Sequence, residues 1–296
     1  MYKATGVNML IQRRGFLKGL GLATCAGLSL KPCFASIMPL PKGQSQDVKI
    51  FSDKRILAIS ERYDVIFESF GRTAIIVDFL GQQTTVARPS SNPLAPESMP
   101  HYVAAAQILD DTIVILDRSH RQLDFFKQGR FQKSIDLSSY TQNPSQLQQH
   151  GESLWIVDSA SHTAISLDYN GRVLTQLGQP GTALGQLNAP IDIAIDNSGL
   201  THILEMGNSR ISVWDKQGKW QGVYGEKLLT PGSRKLVLND HANQTLVIDS
   251  WQQTLFSLDP MGKHDIALPF NGIIPERFSG LSCLSTAPGK GLYLAA

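Results

Sequence analysis

"APIDIAIDNSGLTHILEMGNSRISVWDKQGKWQGVYG", residues 189–225, decides the fold of this chain. Four short apolar-polar runs, at 191–196, 201–205, 210–215 and 220–224, are separated by Asn-Ser-Gly, Gly-Asn-Ser and Gln-Gly. Runs of this length, rich in Ile, Val, Thr, Trp and Tyr and bounded by turn formers, read as strands, and turns this tight join neighbours antiparallel. The stretch predicts a four-stranded meander.

The same grammar recurs when the acid ending the second run serves as the ruler. Glu68, Asp117, Asp158, Glu205 and Asp249 close "DVIFE", "TIVILD", "SLWIVD", "THILE" and "TLVID", at intervals of 41 to 49 residues. Ten positions beyond each acid stand Asp78, Lys127, Asp168, Asp215 and Asp259, followed by Gly81, Gly129, Gly171, Gly218 and Gly262. A four-stranded sheet cannot bury both faces alone, so a period of about 40 to 50 residues marks the blades of a propeller. The terminal "GLSCLSTAPGKGLYLAA", residues 280–296, supplies two strands of a sixth unit, and "DVKIFS", residues 47–52, reads as an orphan outer strand. The expectation is an all-β, six-bladed β-propeller over 47–296, its last blade closed by the N-terminal strand so that no sheet edge stays open.

The unit at 189–225 resembles the NHL repeat through Pro190, Asp196, Gly199, Asn208, Arg210, Ile211, Asp215 and Gly218. The other copies depart from it: His120, Ser161 and Gln252 occupy the Asn208 slot, and Thr73, Gln122, Thr163 and Thr254 the Arg210 slot. The resemblance implies a propeller of a class that includes scaffolds for protein, RNA or sugar polymers and a minority of enzymes. Fold alone does not choose among these.

Before the repeats, Arg13 and Arg14 stand in "QRRGFLK", followed by a soft Gly-, Leu- and Ala-rich run. This resembles a twin-arginine translocation signal, with residues 1–35 as signal peptide, cleavage after Ala35 and 36–46 as a short N-terminal segment. The run 20–30 is about half the roughly 20 residues that span a bilayer, so no stable membrane anchor is expected after cleavage. The implied location is the periplasm and the implied first partner the translocation machinery. The whole chain has 27 Lys and Arg against 25 Asp and Glu; residues 1–35 contain five of the bases and no acid, leaving 22 against 25, a net −3. That balance gives no general pull toward nucleic acid. Of three cysteines, Cys25 and Cys33 fall in the signal, so Cys283 is left without an internal disulfide partner.

In a propeller, the turns after second strands and the connections between blades share one face, around the central channel, where ligand groups gather. Threading places His101, Tyr102, His120, Gln146, His162, Asp192, Asn208, Arg234, Gln252 and Arg277 there. His101, His120 and His162 fall on adjacent blades and suggest a channel metal. Yet metal ligands must converge at about 2.0 to 2.3 Å, and the chain has no His-x-His or Cys-x-x-Cys pair. His120 and His162 also suit turn capping. The recurring acids suit acceptors for turn N–H groups. Gly-x-Ser-x-Gly, a phosphate-binding Gly-rich loop and Cys-x-x-Cys-His are all absent. The Pro- and Ser-rich 88–100 connection reads as a partner contact or lid. Three functions follow as expectations: an exported, non-enzymatic scaffold for a protein partner, serving a periplasmic redox enzyme and carrying no cofactor; a metal-dependent lyase or hydrolase using the three histidines; and a sugar or small-ligand binding module.

Overall fold

The computed structural model describes residues 49–51, 55–58, 60, 62–67, 71–89, 99–239, 244–259, 266–269, 283–285 and 293–295. The signal with Arg13 and Arg14, the 36–46 segment, Glu68, most of the 88–100 connection and Arg277 lie outside them.

After β1 (Lys49–Phe51), twenty strands form five four-stranded antiparallel sheets in strict sequence order. Blade one is β2 (Arg55–Ala58), β3 (Tyr63–Phe67), β4 (Ala74–Asp78) and β5 (Gln83–Val86). Blade two is β6 (Tyr102–Gln107), β7 (Thr112–Asp117), β8 (Gln122–Lys127) and β9 (Arg130–Asp136). Blade three comprises β10 (Pro144–His150), β11 (Ser153–Asp158), β12 (Thr163–Leu167) and β13 (Val173–Leu177). Blade four comprises β14 (Pro190–Ile195), β15 (Thr201–Glu205), β16 (Arg210–Trp214) and β17 (Trp220–Tyr224). Blade five is β18 (Ser233–Asn239), β19 (Gln244–Asp249), β20 (Thr254–Leu258) and β21 (Ile266–Pro269).

Among the described residues the expected sixth four-stranded blade is not formed. Instead β22 (Cys283–Ser285) pairs antiparallel with β23 (Tyr293–Ala295), and β1 lies parallel to β23, Lys49 opposite Tyr293, in a three-stranded sheet. A meander needs alternating strand directions joined by short turns, and β1 arrives beside β23 running the same way. This sheet sits between the first strands of blades five and one, with β22 against both β18 and β2.

Period-2 alternation builds the cores between blades rather than within them. On β7, Ile113 and Ile115 pack with Val65, Phe67 and Ile76 of blade one, while Val114 and Leu116 face Leu147, Leu154 and Ile156 of blade three. On β15, Ile203 joins Val157, Ala164 and Leu177 of blade three, and Leu204 joins Leu236, Val247 and Phe256 of blade five. A one-residue slip in any second strand would exchange its two neighbours' cores, which fixes the register.

Each first strand of blades two to five carries a register shift, at Tyr102/Ala104, Pro144/Gln146, Pro190/Asp192 and Ser233/Lys235. The bulge adds one residue near the start of the innermost strand and re-aims the next. Ala104, Gln146, Asp192 and Lys235 thus occupy one equivalent position, opposite Leu116, Val157, Leu204 and Ile248. Arg55, opposite Phe67, holds the same register position in blade one.

Candidate functional site

The end of the propeller bearing the blade connections is organised by the recurring acids. Asp158 Oδ2 accepts the backbone N–H groups of Gln142 (2.6 Å) and Asn143 (2.8 Å) from the incoming connection, and Oδ1 those of Ala160 (2.9 Å) and Ser161 (2.8 Å) from the following turn. Asp249 does the same with Thr230 N (3.1 Å) on one oxygen and Trp251 N (3.0 Å) and Gln252 N (2.9 Å) on the other. Asp117 takes His101 N and Ser119 N, and Glu205 takes Asn188 N. All four carboxylates are buried. Each clamps a connection to a turn, satisfying N–H groups that no strand can pair.

The Asn208 slot completes the clamp. Asn208 Nδ2 donates to Glu205 Oε2 at 2.6 Å, and His120 Nδ1 meets Asp117 Oδ2 at the same 2.6 Å. A carboxylate only accepts, so His120 carries its proton on Nδ1. Ser119 Oγ lies 3.1 Å from that same nitrogen and donates to Asp117 Oδ1 at 2.7 Å. A Ser-His-Asp relay needs serine and aspartate on opposite ring nitrogens. This arrangement is a clamp with a serine added to it.

The other candidates are engaged in the same way. His162 Nδ1 accepts the Ala189 N–H at 2.8 Å, and Gln252 Nε2 donates to the Leu228 carbonyl at 2.7 Å. Tyr102 is fully buried, donating its hydroxyl to Asp124 Oδ2 at 3.0 Å; burial, then the Asp124 charge, holds its pKa far above the ordinary phenol value. Arg118, Arg121 and Arg210 donate to connection carbonyls, among them Pro144, Thr141 and Ala183. Among the described residues no three of His, Cys, Asp and Glu are grouped so as to hold a metal ion, so His101, His120 and His162 are not brought together as ligands.

What the fold does bring together lies on the axis. Asp192 Oδ1 accepts from Gln146 Nε2 (2.6 Å), Ile193 N (3.0 Å) and Lys235 Nζ (3.1 Å), and Oδ2 from Leu236 N (2.7 Å). One carboxylate thereby joins the innermost strands of blades three, four and five. Burial pushes the Asp192 carboxyl above its ordinary range, opposed by the Lys235 ammonium and the Leu236 and Ile193 N–H groups. Gln146 and Asp192 were legible from the sequence. Lys235 was not: Ser233 replaces the proline that precedes the bulge at Pro144 and Pro190, which hides the equivalence.

Arg234, the bulge residue itself, is exposed and donates to the Met206 sulfur at 3.0 Å. Around this end stand three exposed large apolar side chains, Tyr140 (46% exposed), Leu184 (63%) and Trp251 (64%).

No protein-family model matches the chain, and no curated protein matches it in sequence. Solved structures do match in shape. A catalytically inactive virginiamycin B lyase from Staphylococcus aureus, crystallised with quinupristin, superposes with a TM-score of 0.62 at 11% identity over 82% of this chain and 78% of that one. A streptogramin B lyase gives 0.60 at 11% identity over 80% and 74%. A protein assigned as a 6-phosphogluconolactonase from Bacteroides uniformis gives 0.54 at 14% over 72% and 70%. Likeness at such identity speaks for architecture alone: the chain folds as a β-propeller.

Proposed function

We propose that the chain is an exported, non-enzymatic propeller scaffold that binds a protein partner through its connection end, as an accessory or assembly factor of a periplasmic redox enzyme. One observation carries this reading. His120, His162, Asn208 and Gln252 on that end are engaged in the clamps and connections, while Tyr140, Leu184 and Trp251 stand in solvent where neighbouring turns present them to a partner. Aromatic side chains exposed beside arginine are the usual anchors of protein interfaces. The resemblance of residues 12–18 to a twin-arginine signal supports export of an already folded product.

The test is in-cell cross-linking of tagged protein, followed by identification of what is captured in the periplasm. A stoichiometric partner lost on Trp251→Ala and Leu184→Ala is expected. Capture of nothing, together with turnover of model lactone or ester substrates by purified protein, would refute the scaffold reading. Export is checked separately: Arg13→Lys with Arg14→Lys should leave the protein in the cytoplasm.

A further inference from the structure

The connection end of blade five has a composition unlike the others. Gly232 is buried, and a Cβ there would fall 2.3 Å from Trp251 Cγ and 2.5 Å from its Cβ, so the indole lies directly over a backbone that only glycine leaves open. Two residues on, the bulge projects Arg234 into solvent, and Lys235 follows toward the axis.

Among the described residues, Asp249 and Asp192 near this lip are already engaged. Asp249 receives Thr230 N and Oγ1, Ser233 Oγ, Trp251 N and Gln252 N. Asp192 receives Lys235, and Glu226 lies 4.0 Å from Arg210. Among the described residues Arg234 donates to the Met206 thioether, a weak and uncharged acceptor. Arginines elsewhere on this end are held by carbonyls or carboxylates instead: Arg118 by Pro144, Arg121 by Thr141, and Arg210 by Ala183 and the Glu205 carboxylate.

We propose that this lip recognises a partner segment carrying a carboxylate next to a flat apolar side chain. The carboxylate takes the planar Arg234 fork in place of the thioether, and the apolar group covers the Trp251 face. Charge complementarity selects this occupant: among the described residues no carboxylate pairs with Arg234, and an exposed guanidinium on the same lip as the exposed Trp251 favours an acidic segment over a basic one. The inference rests on the scaffold reading and supplies the chemistry of its partner.

Two acetylated, amidated hexapeptides serve as probes, Gly-Glu-Phe-Asp-Leu-Gly and its counterpart with Lys for both acids, titrated onto the mature protein by calorimetry. The acidic peptide should bind, weaken as salt rises, and lose about tenfold or more in affinity with Arg234→Glu, Arg234→Gln or Trp251→Ala. Leu109→Ala, at the opposite end of blade two, should bind as wild type. Equal binding of both peptides, no binding of the acidic one to millimolar concentration, or unchanged affinity in the Arg234 and Trp251 variants would each overturn the assignment. Melting curves of the variants guard against misfolding. In the cross-linking assay, a partner still captured by Arg234→Glu overturns this inference and leaves the scaffold reading standing, whereas capture of nothing by wild type removes the scaffold reading itself.

Discussion

Replacing Asp192 with alanine removes an acceptor shared by three blades. Gln146 Nε2 and Leu236 N, both on buried residues, lose their partner, and the Lys235 ammonium loses its counter-charge. Each orphaned buried donor costs about 1–3 kcal/mol, while Lys235 can turn partly to water; together the loss is about 3 kcal/mol. For a body of this size that lowers Tm by about 6–12 °C. Calorimetry and urea unfolding of wild type, Asp192→Ala, Lys235→Met and the double variant form the measurement. Lys235→Met strands a buried carboxylate, so it should be costly alone and much cheaper when Asp192 is already alanine, with a coupling of about 1–3 kcal/mol. Burial raises the folded-state pKa of Asp192. Stability linked to its neutral form is therefore fully present below the unfolded value of about 3.9 and lost as pH rises through the folded one. The margin of wild type over Asp192→Asn should be larger at pH 4 than at pH 7. Additive single-variant costs, within about 0.5 kcal/mol, would refute the axial junction.

Other substitutions probe the clamps and turns. His120→Asn should keep stability within about 0.5 kcal/mol, because Asn208 makes the equivalent bond, whereas His120→Ala should cost about 1 kcal/mol in urea unfolding. Burial works to raise the Asp249 pKa, but bonds from Thr230, Gln252 and Ser233 outweigh it and leave the group below its ordinary value. Its contribution is present above the unfolded value near 3.9 and lost as pH falls, so the urea midpoint of Asp249→Asn should depend less on pH between 5 and 3 than that of wild type. Gly71→Ala should destabilise by about 2 kcal/mol or more, since φ is +64° and the new Cβ would sit 2.4 Å from the Tyr102 carbonyl oxygen. Gly81→Ala, at φ +85° with open space around it, should cost only the backbone part, about 1 kcal/mol, by the same assay.

The propeller was legible because each blade repeats its ruler, and an acid that clamps two segments recurs wherever those segments do. The strands of 189–225 fall within a residue of where alternation put them. What the sequence hid has local causes. The bulge at Ser233/Lys235 carries no residue signature, so the sequence points to Arg234 rather than Lys235 as the channel residue of blade five. Threading sets Tyr102 on the ligand face with His101; the structure buries it and turns its hydroxyl to Asp124 instead. The last sheet depended on strand direction, which side-chain pattern does not encode, and β1 pairs parallel where a meander was expected. The three histidines suggest a metal set because they fall on adjacent blades at one end, but His120 stands in the Asn208 slot, His101 in an incoming connection and His162 one residue beyond that slot, and each serves its own turn or connection.

The clamps also set an order of assembly. Their bonds join residues 16, 16, 17 and 19 apart in blades two to five, so each can tie as soon as its first hairpin exists. Lys49 and Tyr293, by contrast, meet only when all five intervening blades are available. Local ties form early and the long-range pairing comes last, as loop-closure entropy requires. A nascent or truncated chain is thus a string of finished hairpins with an open seam. Closure of that seam is a built-in check that every blade between its two strands has been made.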